Sequence, residues 1–316
     1  MRGLLIANPN ATTSTPRARE VLMNALQYQF QLETTITNHR GHAAELAARA
    51  RAEQVDCVVV FGGDGTVNEV VNGMLADKGP GPDVPALGVV PGGSANVFSR
   101  ALGFPTDPIE ATGELIQSLR ERNTKIIGLG QANSRWFVVN AGLGIDAEII
   151  AAMEEQRSEG KSATPSRYVT TSVREFFRGT DRKLSSLVVF VPGQDPVRGV
   201  FIAIVQNAAP WTYLGAIPLS PCPHASFDAG LDLWALRSMS VVAGLRNFRR
   251  MLTKSEKTQA KDLFTLHDTS DFTVACRQPT ALQVDGEGLG LVDSVRFTAH
   301  PAALSVLVPC TNSDSG

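Results

Sequence analysis

The chain has few cysteines, and they form none of the patterns found in disulfide frameworks or zinc sites. Cys57, Cys222, Cys276 and Cys310 are scattered, with no Cys-x-x-Cys pair among them. We therefore expect free thiols and a reducing, cytoplasmic location. The histidines show no metal-ligand spacing either. No apolar run approaches the roughly 18 residues that a membrane-spanning helix needs.

Excess charge is also missing, because the net charge is −2 and the pI is about 6.2. No global basic field attracts nucleic acid, so no nucleic-acid partner is expected. The start, Met1-Arg2, leads directly into a strand-like run, and we expect no secretory leader. No Gly-x-x-x-x-Gly-Lys-Ser/Thr sequence occurs, which excludes a P-loop lysine. At 316 residues, with 43% hydrophobic content, the chain is predicted to fold as two globular domains.

What the sequence does contain is a strand, a glycine turn and a helix in direct succession. The β-branched run Val58–Phe61 ends in Gly62-Gly63-Asp64-Gly65-Thr66, and an amphipathic segment begins at Val67. Glycines let the backbone approach a ligand closely, and the helix N-terminus favours an anion. The alternative is an ordinary βα turn, although few such turns carry this many glycines. The pattern predicts a nucleotide-phosphate site.

A second glycine-rich turn follows the next predicted strand, Leu87–Val90. It reads Pro91-Gly92-Gly93-Ser94-Ala95-Asn96 and leads into a helix over Val97–Leu102. The first ~75 residues read β-α-β-α-β-α, which indicates a parallel sheet covered by helices. Ligands bind beyond the carboxyl ends of the strands in such sheets. We therefore expect the turns Asn8–Ser14 and Gly62–Thr66 to lie near one another.

Strand-like runs dominate the second half of the chain. Four of them near its end are Phe272–Ala275, Ala281–Val284, Val295–Thr298 and Leu304–Val308. Two helical segments interrupt the strand-like runs, near Arg167–Arg178 and Val241–Leu252, and both are basic and amphipathic. Such helices can lie on anionic membranes, or they can pack on a sheet with a solvated basic face. The fold class predicted is α/β plus β: a Rossmann-like parallel-sheet domain and a β-sandwich. The expected boundaries are residues 1–124, 125–300 and a final strand with its tail, 301–316, that returns to the first domain.

These motifs together resemble the diacylglycerol kinase catalytic-domain family, in particular the bacterial lipid kinases. The most specific segments are Gly62–Glu69 and Pro91–Asn96. Weaker matches are Asn8-Pro9, Thr37 before Gly41-His42-Ala43, Asn140–Asp146 and Val284–Glu287. The resemblance implies an ATP-binding N-terminal domain and a lipid-binding C-terminal sandwich.

The resemblance also implies roles for individual residues. The implied nucleotide contacts are Asn8, Thr37, Gly62, Gly63, Asp64, Gly65, Thr66, Val67, Asn68, Gly92, Gly93 and Ser94. Glu287 is the implied proton acceptor, with Asp285 binding metal or orienting that base, and Asp64 supports magnesium and the transferring phosphate. Asp228 and Asp232 are candidates for a structural magnesium site. From the residues alone, Asp285-Gly286 is also a strong hairpin-turn signal.

The function that follows from the resemblance is ATP- and magnesium-dependent transfer of the γ-phosphate to a lipid hydroxyl, with diacylglycerol as acceptor. The alternatives are an NAD-kinase-like enzyme and a nucleotide- or lipid-binding protein with little catalysis. The expected partner is a lipid at the inner membrane surface, which the protein would contact peripherally. The oligomeric state stays open, with a homodimer as one option.

Overall fold

The computed structural model describes residues 2–9, 16–76, 78–144, 187–238, 240–253 and 262–310. The helix predicted near Arg167–Arg178 lies outside these ranges. The chain divides into two units, each with its own core. Unit 1 comprises Met1–Ile127 with Ala302–Gly316, and unit 2 comprises Gly128–Pro301. None of the described helices is long and apolar enough to cross a membrane.

Strands and helices alternate in unit 1, as the sequence predicts. They are β1 (Arg2–Ala7), α1 (Pro16–Gln29), β2 (Gln31–Ile36), α2 (His42–Ala52), β3 (Cys57–Gly62), α3 (Asp64–Leu75), β4 (Ala86–Pro91), α4 (Val97–Ala101) and α5 (Pro108–Glu121). The sequence analysis did not identify α5. Its start signals are nevertheless present, because the Asp107 carboxylate caps the helix by accepting from the N–H groups of Ile109 and Glu110, and Pro108 occupies the first turn.

The sheet of unit 1 is parallel, with the order β2-β1-β3-β4. Its central strand β3 is buried along its whole length, which explains the continuous apolar run in the sequence. The last residues of the chain's final strand add to this sheet, since Val306 pairs in parallel with Leu87. Helices α2 and α3 pack closely, because a Cβ at Gly73 would lie 2.1 Å from the carbonyl oxygen of Ala44.

Unit 2 consists mainly of antiparallel strands. They are β5 (Thr124–Ala132, which begins in unit 1), β6 (Arg135–Phe137), β7 (Asn140–Gly144), β8 (Leu187–Phe190), β9 (Val197–Val200), β10 (Ile202–Gln206), β11 (Thr212–Leu214), β12 (Ile217–Leu219), β13 (Leu231–Leu236), β14 (Leu263–Thr269), β15 (Asp271–Val284) and β16 (Glu287–Leu307). The helix α6 (Val241–Thr253) matches the prediction over Val241–Leu252.

The main strand order in unit 2 is β14-β13-β10-β7-β15-β16. Strand β15 pairs with β8 through its first half and with β7 through its last residues. The side chains that these strands turn inward form one apolar core, which includes Leu143, Val205, Leu233, Phe272 and Phe297. The predicted fold class, a parallel α/β unit with a β-rich second unit, is confirmed.

Two long strands replace four short ones that the sequence analysis separated. The predicted pair 272–275 and 281–284 is the single strand β15, and 295–298 with 304–308 is mostly β16. Proline lacks a ladder N–H, so Pro279 and Pro301 read as strand breaks. In β15 the pairing register shifts between Ala275 and Thr280, and this bulge accommodates Pro279 within the strand.

Candidate functional site

The carboxyl edge of the unit 1 sheet has a point where the chain changes direction. From β1 the chain passes to β2 on one side, and then returns to β3 on the other side of β1. The loops after β1 and β3 therefore lead away from each other and leave a crevice between them. In open parallel sheets this crevice is where ligands bind. Asn8 follows β1 here, and the turn from Gly63 to Thr66 follows β3.

Asn8 bridges this crevice. Its backbone N–H donates to the Phe61 carbonyl, and its side-chain Nδ2 donates to Thr66 Oγ1, both over 2.9 Å. Thr37 lies on the other side of β1, where its backbone N–H donates to the Ala7 carbonyl over 2.9 Å. The two predicted nucleotide contacts Asn8 and Thr37 thus flank the same strand end.

The two glycine-rich turns touch through their backbones. Gly92 N–H donates to the Gly62 carbonyl over 2.9 Å. A Cβ built on Gly93 would lie 2.7 Å from the Gly63 Cα, closer than real Cβ atoms approach. The converse distance, from a Cβ on Gly63 to the Gly93 Cα, is 3.1 Å. Glycine is therefore required at position 93 for the turns to meet.

Asn96 holds the second turn in shape. Its Oδ1 accepts from Gly93 N–H over 2.7 Å, and its Nδ2 donates to the Gly93 carbonyl over 2.6 Å. Its own backbone is left-handed, with φ 48°, a conformation that asparagine tolerates better than most residues. Ser94 stands exposed at the tip of the turn. The contact of its hydroxyl with a phosphate stays a prediction.

The N-terminus of α3 supplies the anion-binding character of the site. Gly63 precedes this 12-residue helix without any side-chain cap, and Gly65 in the first turn is exposed. The first N–H groups of a helix have no intrahelical acceptor, and the helix dipole adds partial positive charge. This turn can therefore hold a phosphate with backbone donors alone.

Two of the predicted nucleotide contacts do not face this turn. Val67 is 1% exposed, and its N–H already donates to the Gly63 carbonyl over 3.1 Å. Asn68 is fully buried, and its Oδ1 accepts from Asn72 Nδ2 over 3.0 Å. The amphipathic period of α3 turns both residues toward the core, and their contact with a nucleotide stays a prediction.

Asp64 has a structural function that the sequence analysis did not anticipate. Its two carboxylate oxygens accept from the N–H groups of Val97, over 3.1 Å, and Phe98, over 3.0 Å. The residue thus caps α4 and ties the first glycine turn to the second. Burial raises the pKa of the Asp64 carboxyl, while these N–H groups and the charge of Arg100 act in the opposite direction.

The described residues of this edge do not form a magnesium cage. Magnesium prefers oxygen ligands, usually one or two carboxylates together with water and phosphate oxygens. Asp64 is the one carboxylate within the two glycine turns, and both of its oxygens already accept backbone N–H groups. Across the described part of the chain, no three His, Cys, Asp or Glu side chains are grouped to hold a metal. The role of Asp64 toward magnesium stays a prediction.

The predicted carboxylates of unit 2 lie in a hairpin turn between β15 and β16. Val284 pairs with Glu287 across the turn, and the two residues between them have positive φ, 47° at Asp285 and 80° at Gly286. Positive φ at both central residues is typical of a type I′ turn, which matches the right-handed twist of the strands. The Asp-Gly sequence therefore forms the hairpin and also presents Glu287.

Asp285 is buried and bound to the backbone of a neighbouring segment. Its Oδ2 accepts from Val138 N–H over 2.8 Å, and its Oδ1 accepts from the N–H groups of Val139 and Asn140 over 2.9 and 3.0 Å. Three backbone donors on one carboxylate leave little capacity for a metal or a proton. This geometry favours an anchoring function for Asp285 over the predicted metal or base-orienting role.

Glu287 has a partner that sequence reasoning missed. Arg135 Nη2 lies 2.7 Å from Glu287 Oε2, and the side chains are 29% and 16% exposed, respectively. A separation of 152 residues hides this ion pair in the sequence. The guanidinium fixes the orientation of the carboxylate while part of it remains open to solvent.

A chain of hydrogen-bonded amide side chains supports the hairpin turn at Asp285 and Gly286. Gly286 N–H donates to Gln283 Oε1 over 2.9 Å, and Gln283 Nε2 donates to Asn140 Oδ1 over 3.0 Å. Asn140 Nδ2 in turn donates to the Trp211 carbonyl over 3.1 Å. Gln283 is 1% exposed, so this network connects the Glu287 turn to the segment at Trp211 through the interior of unit 2.

The two predicted structural-metal ligands are differently placed. Asp228 is exposed, whereas Asp232 is buried. The carboxylate oxygens of Asp232 lie 2.8 and 3.0 Å from His267 Nδ1, and one also accepts from Asp268 N–H over 3.0 Å. His267 and the Asp268 N–H thus already contact the buried carboxylate of Asp232. The prediction of a structural magnesium site at Asp228 and Asp232 has no geometric support among the described residues.

Comparison with known proteins finds similarity to kinases in the first part of the chain. Residues 2–132 match the diacylglycerol kinase catalytic domain. A diacylglycerol kinase of Staphylococcus saprophyticus is 37% identical over 119 residues, and one of Bacillus subtilis is 34% identical over 146 residues. These alignments cover 38% and 45% of this chain but only 36% and 46% of the relatives' own lengths.

The likeness in fold extends beyond the diacylglycerol kinase catalytic domain. The crystal structure of a diacylglycerol kinase from Bacillus anthracis str. Sterne matches 97% of this chain and 96% of its own, with a TM-score of 0.70 and 22% identity. At that identity the likeness establishes the fold alone. The glycine turns that touch at Gly63 and Gly93 lie within the family-matched residues, whereas Glu287 lies outside them.

Proposed function

We propose that this protein is an ATP-dependent lipid kinase that transfers the γ-phosphate to the hydroxyl of diacylglycerol and yields phosphatidic acid. The observation that carries the proposal is the contact between the Gly63 and Gly93 backbones, beside the Asn8–Thr66 bridge at the β1–β3 crevice. This arrangement gathers backbone donors where a parallel sheet binds nucleotides. The family of residues 2–132 supports the choice of a lipid acceptor.

Each turn has a proposed task in phosphoryl transfer. The reaction depends mostly on positioning the phosphates and on stabilising the charge that develops on them. The first turn of α3 would hold phosphate oxygens through its N–H groups, and Ser94 would donate its hydroxyl from the second turn. Asp64 and Asn96 would keep the two turns in register. Magnesium would enter with ATP and would offset the charge that develops on the phosphates.

Glu287 is the proposed general base. The lipid oxygen attacks the γ-phosphorus, the bond from that phosphorus to the β–γ bridging oxygen breaks, ADP leaves, and the hydroxyl proton passes to the Glu287 carboxylate. Arg135 would act as a positioning residue that holds the Glu287 carboxylate in the orientation needed to accept the hydroxyl proton. We place the enzyme in the cytoplasm, acting on lipid at the membrane surface.

The test is transfer of labelled γ-phosphate from ATP to a total lipid extract, followed by mass identification of the product. Wild type should label one lipid, and Glu287→Gln, which keeps the size of the side chain but removes the basic oxygen, should lower the rate by roughly 10²–10⁴-fold. Asp195→Asn, at an exposed carboxylate of the same unit, is the matched control and should retain full rate.

Other outcomes of this assay would replace the proposal. Label in NAD rather than in lipid would identify an NAD-kinase-like enzyme. Wild type that binds ATP and labels no acceptor would point to a binding protein. If Glu287→Gln transfers phosphate at the wild-type rate, the assignment of the base is wrong.

A further inference from the structure

Helix α6 has two different sides. Ala243, Asn247 and Met251 recur at intervals of four residues and are buried against unit 2. Phe248 and Arg249 lie on the other side and are exposed, Phe248 by 42%. Phe248 therefore presents apolar area to solvent on a helix whose opposite side is already buried.

The charge on the outer side of α6 is of one sign. The helix contains three arginines and no acidic residue. Asp262 balances one of them, since its Oδ2 lies 2.6 Å from Arg246 Nη2 and also accepts from Asn247. Arg250 donates to Asn247 Oδ1 over 3.3 Å. The side chain of Arg249 makes no hydrogen bond or ion pair with the residues that the structure describes, so its positive charge is directed to solvent.

A hairpin beside α6 adds a second exposed apolar side chain. Ser220 directly follows β12, and its N–H donates to the Met251 carbonyl at the end of α6 over 3.1 Å. On this hairpin of β11 and β12, Ile217 is 52% exposed, next to the exposed Gly215 and Ala216. The hairpin and the helix are therefore joined, and each presents a large apolar side chain to solvent.

We propose that Ile217, Phe248 and Arg249 form a docking surface for an anionic phospholipid bilayer. Apolar side chains on a basic, acid-free helix enter the interface between headgroups and acyl chains, while the arginine contacts lipid phosphates. This inference rests on the proposed function, because a lipid kinase needs access to its acceptor in the bilayer. Binding to vesicles can nevertheless be measured without any phosphoryl transfer.

The experiment is co-sedimentation of the full chain with vesicles of phosphatidylcholine, with and without phosphatidylglycerol, in the absence of nucleotide. Wild type should bind the anionic vesicles more tightly. Arg249→Gln should weaken that binding about fivefold, since one cation near the surface contributes about 1 kcal/mol. Phe248→Ser and Ile217→Ser should weaken it by at least as much, because they remove inserted apolar area.

Matched controls lie elsewhere on unit 2. Leu291→Ser removes an apolar side chain that is 69% exposed, and Arg277→Gln removes an exposed arginine. Both should bind vesicles as wild type does, and unchanged thermal unfolding should accompany every variant. Wild type that fails to bind anionic vesicles, or test variants that bind like the controls, would overturn the docking surface. A protein that docks but phosphorylates no lipid, even in detergent micelles, would refute the kinase proposal and leave the surface in place.

Discussion

Removal of the Asp285 carboxylate should destabilise unit 2, whatever it does to catalysis. The residue is 8% exposed and accepts three backbone N–H groups, from Val138, Val139 and Asn140. A buried donor that loses its acceptor costs about 1–3 kcal/mol. With a water molecule entering the vacated space, we take the low end for each donor. Asp285→Ala should therefore lower the free energy of unfolding by about 3 kcal/mol.

The isosteric variant Asp285→Asn should cost less, and the difference is informative. An asparagine oxygen at the Oδ1 position can still accept from Val139 and Asn140, whereas its NH₂ group then faces Val138 N–H. One donor loses its partner, so at the same ~1 kcal/mol for each donor we expect a loss of about 1 kcal/mol. The graded order, wild type above Asn above Ala, follows from the number of donors that remain paired.

Urea unfolding followed by tryptophan fluorescence measures this directly. All three tryptophans, Trp136, Trp211 and Trp234, lie in unit 2, so the signal reports on the unit that contains Asp285. The midpoint should fall while the slope stays unchanged. Asp293→Asn, an exposed aspartate on β16, is the control and should not shift the midpoint. The anchoring function would be refuted, and a catalytic one supported, by an Asp285→Ala variant that transfers no phosphate although its free energy of unfolding lies within ~0.5 kcal/mol of wild type. A shift of that size is typical of neutral surface changes.

Two further predictions concern the glycine turns. Gly93→Ala should weaken ATP binding at least tenfold, as measured by calorimetry, because a Cβ there would lie 2.7 Å from the Gly63 Cα and would push the two turns apart. The control is Gly113→Ala in α5, where a Cβ meets nothing within 4 Å, and it should bind ATP as wild type does. Burial raises the pKa of Asp64 above its ordinary value of 3.8, so the folded state holds the proton more tightly than the unfolded state does. As pH rises from the unfolded pKa through the raised folded pKa, the contribution of this carboxyl to the free energy of unfolding declines. The stability difference between wild type and Asp64→Asn should therefore shrink from pH 3.8 upward in urea titrations, whereas a difference that grows with pH would mean that the N–H groups of Val97 and Phe98 prevail over burial.

The parallel unit could be predicted from the sequence because its signals are local. A buried strand, a glycine turn and an amphipathic helix follow one another within a few residues around Gly63, and the same order repeats around Gly93. Chain connectivity then requires both turns at one sheet edge. The direct contact between the Gly63 and Gly93 backbones, and with it the need for glycine at position 93, is visible only in the structure.

The contacts that define the carboxylates could not be predicted, because they join distant segments. Arg135 and Glu287 are 152 residues apart, and Asp64 reaches the N–H of Val97 across 33 residues. Periodicity gives the face on which a residue lies but not its partner across the fold. The same holds for β15, where Pro279 ends the local strand pattern although pairing with β16 resumes beyond the bulge.

The three carboxylates that the sequence marks for chemistry therefore differ in what a mutation of each would reveal. Asp64 and Asp285 accept backbone N–H groups from other segments, so their truncation to alanine distorts a turn or a strand in addition to removing a charge. Loss of activity in Asp64→Ala would follow even if the carboxylate never met a phosphate. Asp64→Asn can still accept from one of the α4 donors, and it separates the two effects. The Glu287 carboxylate pairs with the Arg135 guanidinium, and the hairpin turn itself is formed by Asp285 and Gly286. Glu287→Gln should therefore disturb the backbone less than the two aspartate substitutions, and a loss of activity there would report more directly on the reaction.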